Sequence, residues 1–283
     1  MKILIVGGNS NLGKCLKSHL SKYHTVITAG LKDCDIFLDM KFDVAQNGKI
    51  FNALTKADIV VNTSSLFGGA SFEDIVGAEI VNVIAPISLC NVAVNAGVKH
   101  FVHVGSMFSK LTTDSPYCNT YSITKNSAEQ LIQYYCHKND LPYTIIRPSQ
   151  IYGDTFDFAK HQPFFYDIME NAKDGRDIVL TSDPLRNYIH VEDVVKSIAL
   201  AIERNVYGSY DCSQISNVSY SQIAHYALKH FETNGSVILK KSENNISDNI
   251  FPFEDNLYKQ IGFYPEINIS AGIKRIAEKI KNS

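Results

Sequence analysis

The chain has 283 residues, 45% hydrophobic and 20% charged, proportions that suit a globular protein with one large domain or two unequal ones. A formal net charge of −2 leaves no electrostatic case for binding nucleic acid or an anionic membrane surface. The six cysteines are scattered, with no C-x-x-C pair and no His/Cys cluster at ligand spacing, so no metal is expected and the thiols read as reduced, in a cytoplasmic protein.

The first element, KILIV, breaks at once into glycine. It reads as a buried strand, not as a signal peptide or membrane span. The turn after it, VGGNSNLGKC (Val6–Cys15), supports two readings. Gly8-x4-Gly13-Lys14-Cys15 falls one residue short of a nucleoside-triphosphate P-loop, which needs Ser or Thr at Cys15 and an acidic residue after a later strand. Cys15 is a poor ligand for a hard metal, and the later strand IVVN ends in Asn62. Gly7-x2-Ser10-x2-Gly13 is instead a dinucleotide-binding turn with serine for its middle glycine. Gly7 serves the turn, Gly13 the close helix packing, and the Ser10 hydroxyl can donate to a phosphate. Alone, such a turn discriminates little.

Short apolar runs then alternate with helical-period segments. NLGKCLKSHLSKY follows the first strand, and TVITAG and DIFLD precede QNGKIFNALTK. DIVVNTSS leads to EIVNVIAPISLCNVAVNAG, with a helix stop at Asn95-Ala96-Gly97. HFVHVGS leads to YSITKNSAEQLIQYYCHKN, and LPYTIIRPSQIYG closes the series. Continuous β-branched and aromatic strands between helices indicate a doubly wound parallel α/β sheet, covered on both faces. After Gly153 a helix is expected around Phe164 to Ala172. VEDVVKSIALAIE is strongly amphipathic, and further helices are expected over 221–231 and 270–281.

Two features downstream of the glycine turn carry chemistry. Ser106 closes the strand FVHVGS and presents its hydroxyl at the sheet's carboxyl edge. Tyr121 and Lys125 lie four apart, on one face of a helix. The ammonium favours the phenolate there and is expected to lower the tyrosine pKa from its ordinary value near 10. A Ser/Tyr pair so placed can hold a substrate oxygen and exchange its proton while hydride moves at its carbon. Y-x-x-x-K by itself is common surface decoration. Glycine turn, strand-end serine and Y-x-x-x-K in this order are not.

With VNTSS (Val61–Ser65), the helix residue Asn82, GVKHFVHVGS, TIIRPSQIYG, LRNYIHVEDVV and IGFYPEI, the chain resembles the extended short-chain dehydrogenases/reductases of the NAD-dependent epimerase/dehydratase type, which act mostly on nucleotide-sugars. The resemblance runs from Lys2 to beyond residue 270. It implies a Rossmann-type NAD(P)-binding domain over 1–153, with 186–206 packing back onto it, and a smaller mixed α/β substrate-binding region over 154–283. It implies that Tyr121 is the acid/base, that Lys125 tunes it and binds the nicotinamide ribose, and that Ser106 bonds the reacting oxygen. Gly7, Ser10, Asn11, Leu12 and Gly13 would hold the pyrophosphate, with Asn62 also in the cofactor site. Asp39 stands where an aspartate contacts adenine (Asp43 is the fallback), Arg147 lies beside the nicotinamide, and Arg186 matches an arginine that grips the nucleotide-sugar diphosphate. Asp193 is read as capping or orienting its own helix, and His190 as packing. A homodimer built partly on the Tyr121 helix is implied as well.

Two departures narrow the reading. Gly30 replaces the acidic residue that would bind a ribose 2′-hydroxyl, and Lys32 follows, which favours NADP over NAD; Asp33 and Asp35 nearby weaken that preference. Met107-Phe108 replaces the Asp-Glu pair of the 4,6-dehydratases, which leaves β-elimination without a catalyst. The expected enzyme is a 4-ketoreductase of a 4-keto-6-deoxy nucleotide-sugar. The alternative is a nucleotide-sugar 4-epimerase with retained NAD, and a non-catalytic cofactor-sensing protein or a reductase of small carbonyls stands further off.

Overall fold

The computed structural model describes residues 1–41, 44, 47–240 and 246–281; Asp43, the fallback adenine contact, lies outside them. In chain order the elements are β1 (Lys2–Val6), α1 (Asn11–Leu20), β2 (Thr25–Gly30), β3 (Ile36–Phe37), α2 (Gly48–Leu54), β4 (Ile59–Asn62), α3 (Phe72–Glu79), α4 (Ala85–Asn95), β5 (His100–Val104), α5 (Thr120–Lys138) and β6 (Tyr143–Pro148). There follow β7 (Gln150–Tyr152), α6 (Pro163–Lys173), β8 (Ile178–Leu180), β9 (Leu185–Arg186), β10 (Tyr188–His190), α7 (Val191–Glu203) and β11 (Gly208–Cys212). The chain ends with β12 (Val218–Ser219), α8 (Tyr220–Phe231), β13 (Val237–Leu239), α9 (Asn256–Ile261) and α10 (Ile269–Lys281).

Two compact units result. The first holds Met1–Pro148, Val195–Asp211 and Asn256–Ile261, and the second Ser149–Val194, Cys212–Asp255 and Gly262–Ser283. The first unit thus ends before the expected residue 153 and takes back 195–211 rather than 186–206. The reason is strand pairing: β7 leaves the large sheet to run parallel to β10, so both belong to the second unit.

The first unit is a seven-stranded sheet of order β11-β6-β5-β4-β1-β2-β3, with parallel pairing from β6 through to β3. Leu4, Ile5, Val60, Val61, Phe101, Val102, Ile145 and Ile146 are buried along its central strands, as the continuous apolar runs require of a sheet covered on both faces. Sequence order reverses between β1 and β4, and in register Val6 pairs with Asn62 and Asn62 with His103. The residues after these strands, Gly7, Thr63 and Gly105-Ser106, therefore emerge side by side at the switch point where such sheets bind ligands.

The helix expected over EIVNVIAPISLCNVAVNAG starts earlier, at Phe72. Ser71 caps it by accepting from Asp74 N at 3.1 Å, and Glu73 and Asp74 sit in its positive first turn. A π turn, Ile80–Ile84, joins α3 to α4. Pro86 accounts for it, since proline cannot donate to the carbonyl of Asn82 four residues back and its ring would strike that oxygen. Gly97, at φ +74°, ends the segment as expected. By length and composition Phe72–Asn95 could cross a membrane, and half of its most apolar stretch is buried inside the protein.

In the second unit β7 pairs with β10, β9 with β12, and β8 with β13. Asp193 accepts from the backbone N–H groups of Glu266 and Ile267 at 3.1 and 3.0 Å. Its role is structural, but it pins a distant turn instead of capping its own helix. His190 is buried, with Nε2 2.9 Å from Asp154 Oδ1, and Arg275 bridges Asp154 and Glu192. That network ties α10 to the start of α7.

Candidate active site

The glycine turn is built as a dinucleotide cradle. Gly7 has φ +81°, a conformation that favours glycine. A Cβ at Gly13 would collide with the Gly7 carbonyl oxygen, so only glycine lets α1 start this close to β1. The first turn of α1 carries no acidic residue, which leaves its N–H groups and positive end suited to a diphosphate. Leu12 is buried beneath the turn, Asn11 is half-buried and Lys14 points to solvent.

Ser10 also plays a local part. Its Oγ caps α1 by accepting from Gly13 N at 3.0 Å, and lies 3.3 Å from Thr63 Oγ1. The Thr63 hydroxyl donates to the carbonyls of Val6 and Gly7 at 3.0 and 3.1 Å, so the remaining donor in this pair is Ser10. Thr63 thereby locks the tips of β1 and β4 together. The departure from N-A-A to VNTSS was the sequence signal for it.

Ser106, Tyr121 and Lys125 converge beyond the tip of β5. Asn119 and Ser122 form a capping box that fixes the start of α5, one residue before Tyr121. The Ser106 side chain acts on the Tyr121 phenol and favours its ionised form. Lys125 Nζ lies 5.8 Å from the Tyr121 ring centroid and donates to Val104 O at 2.9 Å. Burial pushes the Tyr121 phenol up to about 12, against the pull of Ser106, and Glu129 adds to the rise. Burial likewise brings Lys125 down to about 8, with Glu129 opposing. The Tyr121 shift thus runs opposite to the expected lowering, because desolvation outweighs the pull of Ser106. At neutral pH the tyrosine is a phenol, the form that can give a proton.

Other expected contacts are engaged elsewhere. Asn62 is fully buried. Its Oδ1 accepts from Ser64 N and Oγ at 3.1 and 2.6 Å and its Nδ2 meets His103 Nδ1 at 3.2 Å, so it shapes the turn after β4. Arg147 Nε donates to Glu129 Oε2 at 2.6 Å, and its NH1 lies 3.4 Å from Asp211 Oδ1. Arg147 is thus held in a largely buried chain of ion pairs. Arg186, in the second unit, is buried over the Tyr220 ring at 5.5 Å, with NH1 donating to Leu185 O and Ser247 O at 2.9 and 3.2 Å. Asp39 is half-buried and accepts from Lys41 N at 2.9 Å, while Lys32 is exposed. Asn9 extends over Gly30, and Asp35 turns back onto Thr28 N and Oγ1 at 2.8 and 2.7 Å.

Sequence reasoning missed three participants. Glu129 stands one helical turn past Lys125, a spacing visible in the sequence. Asn82, named only as part of a motif, holds Leu66 from both sides of its peptide, Oδ1 accepting from Leu66 N at 2.8 Å and Nδ2 donating to Leu66 O at 2.7 Å. Phe67 stacks on Tyr121, and nothing in the sequence signals it.

Residues 3–213 match the NAD dependent epimerase/dehydratase family. CDP-abequose synthase of Salmonella typhimurium is 23% identical over 219 residues, 75% of this chain and 73% of that protein. UDP-glucose 4-epimerase of Thermotoga maritima, solved with UDP-glucose, has TM-score 0.81 and 18% identity, covering 100% of this chain and 99% of that one. UDP-glucose 4-epimerase of Thermus thermophilus, solved with NAD, has TM-score 0.79 and 16% identity over 100% of both chains. At those identities the structural likeness speaks for the fold. The family match spans the glycine turn, Ser106, Tyr121 and Lys125, and the chain belongs to the NAD-dependent epimerase/dehydratase family of extended short-chain dehydrogenases/reductases.

Proposed function

We infer that this enzyme is a nucleotide-sugar 4-ketoreductase that takes a 4-keto-6-deoxy sugar and prefers NADP. The observation that carries the reading is Lys125 held beside the Tyr121 ring at the tip of the strand that ends in Ser106, with Met107 and Phe108 following Ser106 where an elimination would need carboxylates.

The reduced nicotinamide supplies the hydride when bound. Ser106 holds the substrate carbonyl oxygen, and Tyr121 gives its proton to that oxygen as negative charge develops there. Lys125, fixed by Val104 O, supplies a positive charge beside the phenol and limits the cost of the phenolate left behind. Gly7, Ser10, Asn11, Leu12 and Gly13 form the pyrophosphate cradle, and Asp39 is assigned to adenine. Arg186 is assigned to the sugar-nucleotide diphosphate, for which it exchanges its present carbonyl partners. The NADP preference is supported by Gly30 with Asn9 over it, Asp35 turned back onto Thr28, and Lys32 in solvent. The same reading makes the enzyme a homodimer.

Incubation of the purified protein with NADPH and a 4-keto-6-deoxy nucleotide-sugar tests this. Stoichiometric loss of the reduced-nicotinamide absorbance is expected. Interconversion of C4 epimers without added cofactor would establish the epimerase with retained NAD instead.

A further inference from the structure

Phe67 lies in the loop after β4, and its ring stacks on that of Tyr121 with centroids 4.8 Å apart and planes at 26°. The loop is clamped on both sides of it. Before Phe67, Asn82 grips both backbone groups of Leu66 and also donates to Thr124 Oγ1 of α5 at 2.9 Å. After it, Thr120 Oγ1 of α5 donates to Gly69 O at 2.7 Å. Gly68 turns between them at φ +70°, where a Cβ would press on Ala78 and Thr120 at 3.1 and 3.2 Å. Phe67 is thus fixed to the helix that carries the acid, yet its side chain remains 49% exposed. A large apolar ring held half in solvent against the proton donor is a surface for a ligand rather than for the core.

We propose that Phe67 is a specificity-determining residue, the apolar wall of the sugar subsite, and that it selects a sugar lacking a hydroxyl on a carbon flanking the reacting carbonyl or on the exocyclic carbon attached to one. The inference rests on the ketoreductase reading for its assay but on the Phe67–Tyr121 stack for its logic. The carbonyl oxygen must come within about 2.6–3.2 Å of Tyr121 Oη to take its proton. The two carbons beside the carbonyl, and what they bear, then lie about one ring-stacking distance from Tyr121, where Phe67 stands. Phenylalanine neither donates nor accepts hydrogen bonds. A hydroxyl pressed there loses water without gaining a partner, whereas a methyl or methylene group gains an apolar contact. Discrimination of about 10- to 100-fold in kcat/KM for the deoxy sugar follows.

The test compares paired 4-keto nucleotide-sugars that differ by one hydroxyl, at C6 in one pair and at C3 in the other, in wild type, Phe67→Gln and Phe67→Ala. The half-exposed side chain makes both variants compatible with folding. The expected result is that wild type prefers the deoxy member of one pair, and that Phe67→Gln reduces that ratio by about tenfold, mainly by improving the hydroxylated partner. A ratio unchanged in both variants, or an equal fall for both sugars, would overturn the proposal and leave Phe67 a mere support for Tyr121. Melting-temperature shifts with the matched alcohol products read the same preference without turnover. Absence of NADPH oxidation thus counts against the reductase, and absence of a deoxy preference in the wild-type shifts, or its persistence in both variants, counts against Phe67.

Discussion

Arg147 Nε donates to Glu129 Oε2 at 2.6 Å, one helical turn beyond Lys125 on α5. The pair continues to Asp211, whose other oxygen is 2.6 Å from Lys110 Nζ, so four alternating charges run beneath the site. Gly105, beside Ser106, has no side chain because a Cβ there would strike Glu129 Oε1. Glu129 raises the pKa of both Tyr121 and Lys125. Replacing Glu129 by Gln removes that charge and lowers both pKa values. The alkaline limb of kcat/KM, which marks loss of the Tyr121 proton or the Lys125 charge, is then expected to move to lower pH. A purely structural Glu129 would lower the melting temperature and leave the limb where it was.

Lys125 gives the fold a pH dependence of defined sign. Its folded-state value of about 8 lies below its ordinary 10.5, so between these values the unfolded chain binds more protons and stability rises with pH. Below about pH 8 the buried ammonium penalises the folded state in full, by roughly 3 kcal/mol. Lys125→Met is therefore expected to melt higher than wild type at pH 7 while losing activity, with the gap closing toward pH 10. A variant that melts lower at pH 7 would show that the Val104 contact outweighs desolvation.

Ser10 separates capping from phosphate binding. With its Oγ accepting from Gly13 N and its hydrogen directed at Thr63, Ser10→Ala should cost about 1 kcal/mol of stability and Ser10→Gly only a few tenths. Dinucleotide affinity by calorimetry should stay within about threefold of wild type in both, since a lost hydrogen bond worth about 1 kcal/mol would change it more. Equal, larger losses of affinity in both variants would restore the serine as a phosphate ligand.

What was legible in the sequence was local. Strand and helix periods gave the doubly wound sheet, and the Tyr121–Lys125 spacing gave a shared helix face, because both depend on residues a few positions apart. The unread parts depend on partners far along the chain: Phe67 on Tyr121, Arg147 on Asp211, and Asp193 on Glu266 and Ile267. The direction of the Tyr121 shift belongs with these, since spacing reveals a neighbouring charge but not the burial that raises the phenol's pKa. The Asn62 motif was legible as well, but not that the Ser64 hydroxyl engages its side chain.

The outer face of α5 bears on the proposed homodimer. Ile123, Leu131 and Tyr134 are exposed and fall on one side of this helix at its 3.6-residue period. Ile84, at the end of the π turn that leads into α4, is exposed too, and α4 packs against α5. An apolar stripe on two neighbouring helices suits an isologous contact in which each helix meets its own copy across a twofold axis. Sedimentation is expected to give a dimer for wild type and a monomer for Leu131→Glu with Tyr134→Glu, since each copy then brings its charges into the same patch. The double variant should also melt at a temperature independent of protein concentration, whereas that of wild type rises with it. A wild-type protein that sediments as a monomer at micromolar concentration would remove the dimer from the reading and leave the stripe unexplained.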